Sequence, residues 1–103
     1  MDISVQHRND GVTVEVSGRM VYGEPVNELQ TRIQQLVDDG AESVVVNLDN
    51  VSHLDSSGVE ALLGAHATCS AVPGGLRLIN VYGKARTVLH ITKLESLFGL
   101  SVD

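Results

Sequence analysis

Val44-Val45-Val46-Asn47-Leu48-Asp49-Asn50-Val51-Ser52-His53-Leu54-Asp55-Ser56-Ser57-Gly58 carries the decisive turn of the chain. Its first part, from Ser43 to Leu48, holds three consecutive valines without alternation, which predicts a central strand covered on both faces. An acidic, polar loop follows, and beyond it Val59, Leu62, Leu63 and Ala67 recur on one helical face to about residue 71. A buried strand therefore hands over to a helix close to two hydroxyls. Ser57 and Glu60 have the spacing of a capping box, in which the serine accepts from the third helical N–H and the glutamate reaches back. That reading makes Ser57 the structural serine. It leaves Ser56 one residue outside the helix, with a hydroxyl the cap does not need. Phosphate on such a residue would bring about 1.5 to 2 negative charges to the positive end of a helix dipole, beside the carboxylate of Asp55.

Working outward, Ile3, Val5 and His7 alternate with polar residues, Asn9-Asp10-Gly11 supplies a turn, and Val12, Val14 and Val16 alternate again, which predicts a β-hairpin. An irregular stretch is expected from Arg19 to Glu24. Pro25 then suits a first helical position, the apolar face of Val26, Leu29, Ile33, Leu36 and Val37 follows, and Gly40 provides a left-handed stop. This predicts a helix over 25–39. After Pro73-Gly74-Gly75, a strand is expected from Leu76 to Val81, and a third helix begins around Ala85, Val88 and Leu89. Thr92 with Glu95 forms a second capping-box pattern, predicting a short restart that carries Leu94, Leu97 and Phe98. Leu100 to Val102 completes the pattern as a last edge strand. The order β-β-α-β-α-β-α-β is an α/β fold: a mixed sheet opened by an antiparallel hairpin, with helices packed on it and right-handed crossovers. The working surface of such a sheet lies beyond the carboxyl ends of its strands, where Asp55-Ser56-Ser57-Gly58 falls.

Composition narrows the function. The 103 residues suffice for one domain with one core, at 43% apolar and 19% charged. Thirteen acidic against seven basic residues give a formal charge of -6. That balance provides no electrostatic footprint for nucleic acid and no polybasic anchor for a membrane, so a protein or small-molecule partner is expected. A single cysteine, Cys69, allows neither an intrachain disulfide nor a thiolate zinc set, and it reads as a small core residue. The N-terminus lacks a signal-peptide pattern and no apolar run is long enough to span a bilayer, which together predict a cytoplasmic protein.

Catalytic and cofactor motifs are missing from the sequence. Neither G-x-x-x-x-G-K-[ST] nor G-x-G-x-x-G occurs, and the turn's one glycine, Gly58, is too few to cradle a nucleotide. His7, His53, His66 and His90 lack the spacing of a helical zinc pair. No G-x-S-x-G elbow is present; a hydrolase using Ser56 with His53 as its base would have both on one loop, three residues apart, with no third orienting group. No catalytic residue, cofactor or metal is therefore expected.

Asn47 through Gly58, together with Gly74-Gly75-Leu76-Arg77-Leu78 and Val88-Leu89-His90-Ile91-Thr92-Lys93-Leu94 followed by Leu97-Phe98, resembles the STAS domain family, in particular its bacterial anti-sigma factor antagonists. The resemblance covers almost the whole chain, 1–103, as a single STAS domain. It implies a binding protein, not an enzyme. In that family the unmodified antagonist captures an anti-sigma factor, itself a serine kinase, and the kinase phosphorylates the first serine of the D-S-S-G turn. Here that serine is Ser56. A PPM-type serine phosphatase would reset it, and Asp55, Ser57, Gly58, Met20 and Tyr22 would contact the partner. Two departures stand out. The family often carries an acidic residue soon after the glycine that ends the second strand, whereas Gly18-Arg19-Met20-Val21-Tyr22 has none before Glu24. Members also commonly continue into a fourth helix, and the given sequence stops at Asp103 before one could form; an uncovered apolar surface there leads to the expectation of a monomer or weak homodimer. The alternative is a STAS interaction subunit of a transport ATPase or stress-signalling complex that works without phosphorylation.

Overall fold

The computed structural model describes residues 1–9 and 11–100. Strands β1 (Asp2–Arg8) and β2 (Gly11–Met20) form the hairpin, and α1 (Asn27–Asp38), β3 (Val44–Leu54), α2 (Ser56–Thr68), β4 (Leu76–Ile79) and α3 (Gly83–Ile91) follow. Among the described residues the sheet has four strands in the order β1-β2-β3-β4. β1 runs antiparallel to β2, while β2–β3 and β3–β4 are parallel. The mixed α/β sheet read from the pattern is thus present. The last strand expected at Leu100 to Val102 falls on positions of which only Leu100 is described.

The hydrophobic pattern sets which face carries the core. Val12, Val14 and Val16 on β2 register with Val44, Val46 and their neighbours on β3, and this row is buried. Because successive side chains point to opposite faces, the other row, Thr13, Glu15, Val45 and Asn47, lies on the far side and is only half-buried. The valine run is therefore covered fully on one face, in contrast to the two-sided burial its composition predicts. Leu29, Ile33 and Leu36 of α1, Leu62 and Ala65 of α2, and Leu89 of α3 close over the buried row in one apolar cluster. Each fully buried Leu or Ile contributes about 1.5 to 3 kcal/mol.

Several boundaries differ from the sequence expectation, each for a physical reason. α1 begins at Asn27, two residues after Pro25, whose carbonyl accepts from the Glu28 N–H at 3.0 Å; Gly40, at φ +95°, stops the helix as expected. Both β2 and β3 run past their expected ends. Arg19 and Met20 pair with His53 and Leu54, so the segment read as loop is sheet on both strands. Thr92 and Glu95 form no capping box. Thr92 Oγ1 donates to the Val88 carbonyl at 2.8 Å, and the Glu95 carboxylate accepts from Arg86 Nε at 2.6 Å and His90 Nδ1 at 2.7 Å. These two partners, His90 first, hold Glu95 below the usual carboxylate range. Lys93, at φ +60°, ends α3, and the chain continues through turns that seat Phe98 in the core.

Candidate functional site

The far end of β3 delivers Asp55 to the start of α2. Two register irregularities, between Glu15 and Ser17 and between Gly18 and Arg19, give β3 extra residues against β2. Bulges of this kind re-aim the strand that carries them. Here the re-aimed strand ends with the Asp55 N–H donating to the Met20 carbonyl at 3.3 Å.

Asp55, not Ser57, caps α2. Its Oδ1 accepts from the N–H groups of Ser57 (2.8 Å) and Gly58 (3.3 Å), and its Oδ2 accepts from the Tyr22 N–H at 2.9 Å. The capping box read from Ser57 and Glu60 is thus replaced by an aspartate cap two residues earlier. A carboxylate is a stronger acceptor than a hydroxyl, and its two oxygens serve the helix and the loop at once. The N–H donors, Tyr22 foremost, hold the Asp55 carboxyl below its ordinary range. Asp55 thereby ties the β2–α1 loop to the helix that follows β3.

Ser56 is consequently the first residue of α2 instead of a residue outside it. It is exposed, and its hydroxyl makes no hydrogen bond to any described residue. Ser57 is half-buried beside it. Gly58 is buried: a Cβ there would meet the Met20 carbonyl oxygen and stand 2.5 Å from Leu54 Cδ1. The close approach that glycine permits is therefore to the chain's own β2 and β3. Met20, expected on the contact surface, is fully buried with 0% exposure and supports the turn from beneath. Tyr22 is the reverse, with 88% of its surface open to solvent. Five of the six expected site residues, Met20, Tyr22, Asp55, Ser57 and Gly58, are joined by these contacts, and Ser56 stands exposed at their centre.

His53 is not brought to Ser56. In the tautomer protonated at Nδ1, its ring donates to Ser52 Oγ at 2.9 Å and accepts at Nε2 from Lys84 Nζ at 3.3 Å. Lys84 and Tyr82, both at the start of α3, belong to this end of the molecule, and neither is singled out by the sequence pattern. Their only signal is that β4 and α3 of a parallel sheet must also meet at the carboxyl ends of the strands.

With this geometry in hand, the chain proves similar to a known family: the STAS domain model matches residues 2–103. The chain belongs to the STAS domain family. More particularly, the anti-sigma-B factor antagonist of Bacillus subtilis is 26% identical over 102 residues, spanning 98% of this chain and 91% of that protein. The anti-sigma-B factor antagonist of Staphylococcus aureus is 31% identical over 85 residues, spanning 82% and 77%. Among solved structures, the anti-sigma factor antagonist SpoIIAA in its unphosphorylated form matches with a TM-score of 0.79 at 22% identity, over 99% of this chain and 90% of that one. The phosphorylated form of SpoIIAA from Bacillus matches with a TM-score of 0.72 at 22% identity, over 99% and 93%. These structures share the fold. The named relatives are regulatory antagonists, and no helix among the described residues is long and apolar enough to cross a membrane.

Proposed function

We propose that this chain is a cytoplasmic anti-sigma factor antagonist that captures an anti-sigma factor serine kinase, and that phosphorylation of Ser56 by that kinase ends the capture. A PPM-type serine phosphatase restores it. The observation that carries this reading is the Ser56 hydroxyl, exposed and unpaired on the first residue of α2, next to a carboxylate whose oxygens already hold the N–H groups of Ser57, Gly58 and Tyr22. A phosphate added there finds the Ser57 and Gly58 donors taken and Asp55 beside it. In water it costs little. Under a docked protein it must be desolvated or matched by new cations, and like-charge repulsion is added. A change on the order of a hundredfold in affinity follows from about 2.7 kcal/mol of such penalty.

Tyr22, Ser57 and the outer edge of Asp55 provide the contact surface around Ser56, while Met20 and Gly58 fix its shape from below. Incubation with the anti-sigma factor kinase and ATP should place one phosphate on the wild type and on Ser57→Ala, and none on Ser56→Ala. Phosphate on Ser57 with Ser56 left bare would overturn the assignment.

A further inference from the structure

Between β3 and α3 lies a groove of about 880 Å³, lined by Val21, Leu54, Val81 and Val88 and bordered by His53 and Lys84. Its volume is within the roughly 300 to 1,000 Å³ range of small-molecule sites, and its largely apolar lining with a few polar groups is typical of them. The other cavities found on the described residues are smaller.

The charge at its border has no counter-ion among the described residues. None of the ion pairs among the described residues includes Lys84. Its ammonium instead donates to His53 Nε2 at 3.3 Å; His53 Nδ1 donates to Ser52 Oγ at 2.9 Å, and Ser52 Oγ donates to the Gly18 carbonyl at 3.3 Å. No carboxylate takes part in these bonds, so they position the cation without neutralising it. Of the other charged groups on the groove wall, Arg86 is paired with Glu95, and Asp55 keeps its negative charge but has both oxygens turned to backbone N–H groups. An apolar trough with one held ammonium outside the ion pairs of the described residues calls for an apolar ligand bearing one negative charge.

We infer that this groove binds an alkyl carboxylate, with the hydrocarbon along Val21, Leu54, Val81 and Val88 and the carboxylate on Lys84. The exposed ring of Tyr82, 57% open and also on the groove wall, offers further apolar surface to the chain. Where the reading of Ser56 holds, a filled groove also alters the surface beside the switch, because Leu54 and Asp55 belong to both. The binding test does not depend on that reading.

The test is a titration of the ¹⁵N-labelled protein with hexanoate, octanoate and decanoate below their micellar concentrations, followed by amide chemical shifts, with decyltrimethylammonium as the cationic control. Saturable shifts should concentrate on Val21, Leu54 and residues 81–88, and affinity should rise about fourfold per added methylene. Lys84→Gln should weaken octanoate several-fold while leaving the remaining spectrum in place, since Lys84 is exposed. Absence of saturable shifts, shifts spread over the surface, equal binding of the cationic amphiphile, or indifference to Lys84→Gln would each overturn the inference. So would a groove that responds to an anti-sigma protein and never to a carboxylate.

Discussion

Asp55 accepts three backbone hydrogen bonds from two separate segments, and its ionisation is therefore linked to folding. Its folded-state pKa lies below the ordinary value because Tyr22, Gly58 and Ser57 donate to the charged form. A depressed carboxylate contributes stability that is fully present above the unfolded pKa, near 3.9, and is lost as pH falls through the folded value. Urea midpoints of wild type and Asp55→Asn should accordingly differ at pH 7, with the wild type higher, and converge as the pH is lowered below about 4. A gap unchanged by pH would mean that the carboxylate charge plays no part in the cap. The sequence signalled a cap at this turn but pointed to Ser57, because S-x-x-E is a strong local pattern. Local spacing does not register the Tyr22 N–H, which lies 33 positions away and gives Asp55 its second role. Gly58 offers a separate test of the same corner. Gly58→Ala should cost about 1 to 3 kcal/mol by overpacking against Met20 and Leu54, read from chemical denaturation, with the helix content of the folded state unchanged.

At the scale of elements, the far half of β3 carries the weakest strand signal. Residues 49–54 are largely polar and resemble a loop, yet they are strand. The reason lies in the neighbours: β4 ends at Ile79, paired with Asn47, so beyond that point β3 is hydrogen-bonded to β2 alone and its side chains are mostly exposed. A strand with one open edge needs few apolar residues. The first half, flanked by β2 and β4, carries the valines that made it legible. The same logic explains α3, where the capping pattern at Thr92 was misleading because Glu95 is drawn instead to Arg86 and His90. Helix α1 was legible to within two residues of its start because its apolar face repeats without interruption. Met20, at the end of the hidden part of β2, should behave as a core residue. Met20→Ala should destabilise by about 2 to 5 kcal/mol, measured by denaturation, and should weaken partner capture through the shape of the turn.

For the whole molecule, one apolar cluster joins the buried faces of β2, β3 and β4 to the three helices, with half-buried Ile3 and Val5 of β1 packed against it, so local and global opening should be closely coupled. Cys69 reports on this directly. Its thiol is fully buried and burial pushes its pKa up, so both access and thiolate fraction are low in the native state. Alkylation of Cys69 by iodoacetamide should be slow in buffer and should accelerate with urea in proportion to the unfolded fraction; rapid labelling of the native protein would contradict the packing around α2. That rigid body presents Ser56 at one end, and its consequence for binding is the core of the functional account. The most direct measurement is the affinity of the anti-sigma factor kinase for two preparations of this protein, unmodified and stoichiometrically phosphorylated on Ser56, by calorimetry at one ionic strength. The account predicts a loss on the order of a hundredfold or more on phosphorylation; equal affinity for the two forms would contradict it.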